Sequence, residues 1–145
     1  MCIRDWVKTM PTSLGNRANP TPTGTYVVMG QSRHYTMDSS TYGVAVDAPG
    51  GYRTTVEYAS RLSNSGIFVH AAPWSVGDQG RRNVSHGCLN VSTADAGWFY
   101  ENFGRGDVVE VVNAGSQLEV TDGFGDWNAS WADWQSGSAL VRPAA

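Results

Sequence analysis

The sequence predicts a mainly β domain with one main helix. Two observations carry that reading. Short runs rich in Val, Ile, Thr, Tyr and Phe recur along the chain, separated by clusters of Gly, Pro, Asn and Asp that mark turns. Against these, the clearest helical apolar spacing runs from Thr93 to about Phe103, and no internal repeat or low-complexity tract interrupts the pattern.

Taken in order, Trp6–Ser13 mixes apolar and polar residues and reaches Pro11, which reads as an edge strand or the remnant of a longer hairpin. Gly15–Gly24 carries Pro20 and Pro22 and reads as a loop. Thr25–Met29 is β-branched and aromatic, hence a strand. His34–Met37 and Tyr42–Val46 read as further short strands, followed by a turn at Pro49-Gly50-Gly51. Thr54–Leu62 has a β-branched start that favours a strand, whereas Glu57–Arg61 would suit a helical turn; we read it as strand. Gly66–His70 is a short apolar strand that delivers His70 at its end. Ala71–Asn83, with Pro73, Gly77, Gly80 and Arg81-Arg82, is a long loop of the kind that carries function.

Ser92 can cap the helix that follows, with Asp95 in capping-box position and Gly104 as the stop. Ala96, Phe99, Tyr100 and Phe103 fall on one face of it. Asp107–Val112 is the clearest strand in the chain. In the tail, Trp127, Trp131 and Trp134 are spaced as one stripe of a short helix. We expect that stripe to dock on the domain and cover an apolar flank; a carbohydrate platform is the other use such rings have.

At 145 residues the chain is long enough for one domain that buries about two-thirds of its unfolded surface. Its 13 acidic against 10 basic residues give a net charge of −3, with no Lys/Arg run, so nucleic acid and anionic membrane surfaces are not expected partners. No apolar run approaches the roughly 18 residues of a membrane span, and Met1–Met10 lacks an apolar signal core. On those grounds alone the chain is cytosolic, or what precedes it has been lost or is encoded elsewhere.

The chemistry concentrates in Val84-Ser85-His86-Gly87-Cys88-Leu89-Asn90. A cysteine becomes a nucleophile at neutral pH when a neighbouring cation or base favours its thiolate, and His70 is the candidate base. Gly87 permits a sharp bend before Cys88, after which the N–H groups of Gly87 and Cys88 can face a developing oxyanion. A Cys–His pair with adjacent backbone donors suits acyl transfer and needs neither cofactor nor metal. Taken alone, Cys88 is a small buried hydrophobe and His70 a core histidine; it is their combination with His86 and Gly87 that favours chemistry. A Cys2–Cys88 disulfide is possible by arithmetic, but Cys2 sits at a terminus and reads as an incidental thiol. His34 has no partner pattern and reads as structural.

His70 and the Ser85-His86-Gly87-Cys88 run with Asn90 closely resemble the signature of L,D-transpeptidase catalytic domains, the YkuD-type fold. Met10-Pro11-Thr12-Ser13, Thr21-Pro22-Thr23-Gly24, Met37-Asp38-Ser39-Ser40-Thr41-Tyr42-Gly43, Gly66-Ile67-Phe68-Val69-His70 and Arg105-Gly106-Asp107 share the resemblance. Gly125-Asp126-Trp127-Asn128 and the Trp-rich tail are similar to the C-terminal extension of actinobacterial, especially mycobacterial, members. The resemblance implies a mixed β-sandwich with one main helix, a long active-site loop and a Trp-rich C-terminal segment. It also implies an organisation of 1–7 as an atypical N-terminal segment, 8–137 as the catalytic domain with 115–137 as its extension, and 138–145 as tail. Members normally carry a further strand or two before the position of Lys8, and a signal or lipid anchor, so the same likeness implies an extracytoplasmic, cell-envelope location.

By that resemblance Cys88 is the nucleophile, attacking the L-centre carbonyl of the third residue of a peptidoglycan tetrapeptide stem, expelling D-alanine and passing the acyl group to a second stem's amine as a 3→3 cross-link. His70 holds the thiolate, oriented by the backbone carbonyl of Ala71, where mycobacterial relatives have serine. His86 supports the loop, and the N–H groups of His86, Gly87 and Cys88 form the oxyanion hole. Tyr52, Ser65, Gly66, Asn90, Ser85, Met37 and Trp74 line the donor site or the lid over it. Stem peptides are the implied partners, and β-lactams of the carbapenem class the implied covalent inhibitors. Two rivals remain: a zinc hydrolase using His70, His86 and Cys88, although neither H-E-x-x-H nor C-x-x-C occurs, and a peptidoglycan-binding module without turnover.

Overall fold

The computed structural model of the chain describes residues 7–138. Six strands and one full helix make up the regular structure: β1 Gly24–Val27, β2 Gly30–Asp38, β3 Arg53–Arg61, β4 Phe68–Ala71, β5 Leu89–Val91, α1 Thr93–Asn102 and β6 Val108–Val111, with a short α2 at Trp131–Ser136. They form two sheets, a four-stranded one ordered β2-β3-β4-β5 and a two-stranded one ordered β1-β6. All pairings are antiparallel except β4 with β5.

The core lies between the two sheets and α1. Tyr26 and Val28 from the β1 segment meet Val69 and Ala71 of β4, Val91 of β5, Val111 of β6, and Ala96 and Phe99 of α1. The helix forms as its caps dictate: Ser92 Oγ accepts the Asp95 N–H at 3.1 Å and donates to the Asp95 carboxylate at 2.7 Å. Asp95 then sits at the positive end of the helix, where Lys8 also reaches it at 2.9 Å. On the expected apolar face, Ala96 and Phe99 are buried, Phe99 stacks on Phe103 at 4.4 Å between ring centres, and Tyr100 meets Tyr58 edge-on.

Three elements differ from expectation. Tyr42–Val46 is not a strand: Asp38 caps a 3-10 turn over Ser39–Tyr42 by accepting from the Ser40 N–H, and Gly43, at φ 91°, ends it. Along Trp6–Ser13, where Trp6 lies outside the described residues, pairing is confined to Ser13, which exchanges backbone hydrogen bonds with Asn90 at 3.0 and 2.9 Å. Pro11 cannot donate and is one reason a ladder does not extend there.

The tryptophan stripe is the third correction. Trp127 belongs to a 3-10 turn at Gly125–Asn128, and Ser130 caps a separate α2, so the three rings do not share one helix. They are 64%, 70% and 56% exposed for Trp127, Trp131 and Trp134, and none of them joins the buried apolar clusters. What docks this segment is polar and backbone-directed. The Asn128 side chain accepts the Thr25 N–H at 2.7 Å and donates to the Thr25 carbonyl at 2.9 Å, while Leu118 is buried against β1 and the core.

Candidate active site

The parallel pairing of β4 and β5 builds the site. Its register sets Val69 opposite Leu89, His70 opposite Asn90 and Ala71 opposite Val91. Parallel neighbours need a crossover, and here residues 72–88 supply it as irregular chain with a 3-10 turn at Pro73–Ser75. Cys88 stands two residues before Asn90, so strand alternation puts Cys88, Asn90 and His70 on one face. All three line a cavity of about 260 Å³, which Met37, Tyr52, Trp74 and His86 also line.

Cys88 is a free thiol, buried with Val56, Ala59 and Phe68 as neighbours; Cys2, and with it the disulfide expectation, lies outside the described residues. The thiol donates to the Gly66 carbonyl at 3.5 Å. Burial pushes its pKa up to about 11, against a smaller downward pull from the Phe68 backbone. His70 is 3% exposed and moves the other way: burial pushes its pKa down, opposed by its hydrogen bond to the Ala71 carbonyl at 2.8 Å. A carbonyl only accepts, so in that bond Nδ1 carries the proton and Nε2 keeps its lone pair. Both shifts favour a thiol beside a neutral imidazole, where the resemblance implied a held thiolate.

The bend before Cys88 is braced from within. Gly87 has φ 121°, a conformation that favours glycine. Its N–H donates to Ser85 Oγ at 3.1 Å, and Ser85 Oγ donates in turn to the Cys88 carbonyl at 2.7 Å. Two expectations change. The Gly87 N–H is engaged in the bend and not free for an oxyanion, and the Ser85 hydroxyl braces the turn although Ser85 lines the cavity. Among the described residues the His86 and Cys88 N–H groups have no such partner.

Sequence reasoning missed the outer support. Thr21, 1% exposed, donates its hydroxyl to the Gly87 carbonyl at 2.6 Å and accepts the Gly15 N–H at 2.9 Å. Gly15 is required there because a Cβ would lie 2.9 Å from Gly87 Cα and closer still to Asn19 and Thr21 backbone. Ser13 Oγ bridges the Arg82 carbonyl and the Val84 N–H, at 2.8 and 3.1 Å. The sequence signals were the Met10-Pro11-Thr12-Ser13 and Thr21-Pro22-Thr23-Gly24 runs, neither of which shows by itself what its hydroxyls bind.

Residues 4–111 match the family of YkuD L,D-transpeptidase catalytic domains, most of the chain. The chain belongs to that family. Among curated relatives, L,D-transpeptidase 2 of Mycobacterium tuberculosis is 57% identical over 134 residues, 92% of this chain and 33% of that protein. L,D-transpeptidase 1 of the same species is 46% identical over 106 residues, 73% of this chain and 42% of the relative. The chain thus spans a third to two-fifths of the length of these relatives. Of solved structures, the LdtMt1 complex with imipenem superposes with TM-score 0.72 at 46% identity, covering 73% of this chain and 49% of that one. M. tuberculosis L,D-transpeptidase 3 with a faropenem-derived adduct gives 0.68 at 44%, covering 74% and 46%.

In this L,D-transpeptidase domain the remaining expected residues fall around two chambers. A larger one of about 560 Å³ is lined by Ser65, Gly66 and Asp38, and it shares Met37, Tyr52 and His86 with the cavity at Cys88. The Tyr52 and His86 rings, tilted 47° to each other with centres 5.1 Å apart, line both chambers. Trp74, 59% exposed, lies 6.1 Å from the His70 ring. Asn90 is buried and donates to Ser75 Oγ at 3.2 Å, yet its Oδ1 is the one buried side-chain polar atom among the described residues without a partner. The Ser65 hydroxyl and N–H both go to Asp122, so its carbonyl is the group left for a ligand. Among the described residues no three His, Cys, Asp or Glu side chains group as metal ligands.

Proposed function

We propose that this domain is a peptidoglycan L,D-transpeptidase that works through a Cys88 acyl-enzyme. The observation that carries the reading is the juxtaposition of His70, Cys88 and an unpartnered Asn90 Oδ1 on one face of a parallel strand pair, inside one cavity. An orphan buried acceptor costs about 1–3 kcal/mol. A substrate N–H at that position removes the cost, so the site favours an amide-bearing ligand.

In the proposed reaction a donor tetrapeptide enters past Tyr52 and Met37, with Ser65 and Gly66 as its wall. Cys88 Sγ attacks the L-centre carbonyl of the third residue as its proton passes to His70 Nε2. The oxyanion lies against the His86 and Cys88 N–H groups, and His70 returns the proton to the departing D-alanine amine. The thioester remains on Cys88. The amine of a second stem, approaching on the Trp74 side, then loses a proton to His70, attacks the thioester and frees the thiol, leaving a 3→3 cross-link. Ala71 takes part only through its carbonyl, and Gly87 only by permitting the bend. Substrate of this kind lies outside the cytoplasm, which places the domain in the cell envelope; no helix among the described residues is long and apolar enough to cross a membrane.

The imipenem and faropenem complexes of the relatives support a carbonyl-acylating site open to β-lactams. Intact-mass spectrometry after imipenem treatment tests it: the wild-type protein gains one adduct and Cys88→Ala gains none. An unmodified wild-type mass would favour a binding module without turnover, and an adduct on Cys88→Ala would remove the nucleophile assignment.

A further inference from the structure

Asp122 lies beyond the residues matched to the family, in the segment after β6, yet its carboxylate reaches the wall of the larger chamber. One oxygen accepts the Ser65 N–H at 2.8 Å and the other accepts the Ser65 hydroxyl at 2.5 Å. With its proton directed at the carboxylate, Ser65 Oγ receives the Ser63 hydroxyl at 2.8 Å, and Ser63 Oγ accepts the Ile67 N–H at 3.1 Å. The chain Asp122–Ser65–Ser63–Ile67 thus ties the turn before β4 at its exposed end. Its other end is held by Arg61, which donates to the Ser63 and Asn64 carbonyls at 2.8 and 3.0 Å.

What this turn presents is the Gly66 carbonyl, the acceptor of the Cys88 thiol. Gly66 has φ 95°, which favours glycine, and a Cβ there would meet nothing within 4 Å, so no side-chain contact fixes this position. Gly123, by contrast, would bring a Cβ within 3.0 Å of Met29 Sδ and 3.3 Å of Ser63 Cα, so the backbone beside Asp122 is seated against the turn.

We propose that Asp122 is a positioning residue of the active site: its carboxylate fixes Ser65 and Gly66 so that the Gly66 carbonyl meets the Cys88 thiol and the donor wall keeps its shape. The proposal rests on the transpeptidase reading and extends it by making the C-terminal segment part of the catalytic architecture. Without the carboxylate, the Ser65 N–H loses its acceptor and the Gly66 carbonyl is released. A carbonyl that accepts from a thiol favours the protonated form, so its release eases ionisation of Cys88. The donor peptide meanwhile meets a displaced wall.

The test uses the full chain with Asp122→Ala, Asp122→Asn and, as a control for docking of the same segment, Asn128→Ala. Melting temperature, the pH–rate profile of iodoacetamide alkylation and the rate of imipenem acylation are read on each. Asp122→Ala is expected to slow acylation on the order of ten- to a hundredfold and to move the alkylation profile to lower pH. Asp122→Asn, which keeps one acceptor for Ser65, falls between, and decides the matter if Asp122→Ala does not fold. Asn128→Ala lowers the melting temperature without moving the profile. A folded Asp122 variant with wild-type profile and acylation rate overturns the proposal, as does an Asn128→Ala that reproduces both changes. If the wild-type protein is not acylated at all, the transpeptidase reading fails, while the alkylation profiles still decide the role of Asp122.

Discussion

The ionisation state of Cys88 can be measured directly. Its pKa of about 11 lies 3.5 units above pH 7.5, so roughly one molecule in 3,000 carries a thiolate there. A free cysteine near 8.5 is roughly one-tenth ionised at that pH, and alkylation follows the thiolate. Iodoacetamide should therefore modify Cys88 roughly 300-fold more slowly than a small free thiol at pH 7.5, with a rate still climbing at pH 10. On the proposed mechanism, acylation by imipenem at pH 7.5 should proceed regardless, because His70 would take the proton during attack. The two reactions separate in His70→Gln: acylation falls on the order of 10²- to 10⁴-fold, while the alkylation profile barely moves. Stopped-flow or mass-spectrometric time courses at a series of pH values read both. An alkylation plateau already reached below pH 7, and lost in His70→Gln, would falsify the neutral-pair reasoning, since it requires a preformed thiolate–imidazolium pair.

Other outcomes follow from burial and hydrogen bonding. Above its ordinary value near 9 the unfolded chain sheds the Cys88 proton that the folded chain keeps, so stability falls as pH climbs from about 9 to 11, by a few kcal/mol at most, on the order of 3. Urea melts of Cys88→Ala should keep only the later fall that Tyr26, also pushed up by burial, contributes. His70, held neutral, gives the opposite limb: the unfolded chain gains a proton first as pH falls below 6.5, and His70→Gln should flatten the loss of stability between pH 7.5 and 5.5. Thr21→Val leaves the Gly87 carbonyl and the Gly15 N–H without their partner and should cost about 2–4 kcal/mol in urea melts, together with a slower acylation. Phe99→Ala empties the contact between α1 and the sheets and should cost about 3–5 kcal/mol while a folded fraction retains its acylation rate.

Much of this architecture was legible because the signals were local. Ser92 with Asp95, the β-branched runs at Thr25 and Val108, and a strand ending at His70 all follow from propensity and periodicity, and each lies where it was expected within a residue or two. Thr54–Leu62 resolved to strand, paired with β2 in one unbroken register, and Val56 and Ala59 are both buried although Tyr58 between them takes φ 52°. Two of the failures share a cause in side chains that bond to backbone, two residues away for Asp38 and far along the chain for Asn128. Asp38 turns the chain into a 3-10 turn where β propensity favoured a strand, and Asn128 docks the tail in place of the tryptophans. In the site, Cys88, His70 and Asn90, which the sequence reading grouped, line one cavity, but no spacing rule reveals that Thr21 holds Gly87 or that Ser85 occupies the Gly87 N–H.

Main-chain bonding at the site is the reason to expect that the pair tolerates alanine beside the base. His70 is oriented by the Ala71 carbonyl, the thiol by the Gly66 carbonyl, and the bend by the Gly87 carbonyl through Thr21. Main-chain groups at all three points mean that the catalytic geometry is set by strand register, and a one-residue slip of β5 against β4 would turn Cys88 and Asn90 to the other face. Ala71→Ser changes none of these bonds. It should acylate with imipenem within about twofold of wild type, while its buried hydroxyl costs about 1–2 kcal/mol of stability unless it finds an acceptor. If acylation instead changed tenfold or more, the side chain at 71 would be acting on His70 directly, and orientation by the carbonyl alone would be the wrong account.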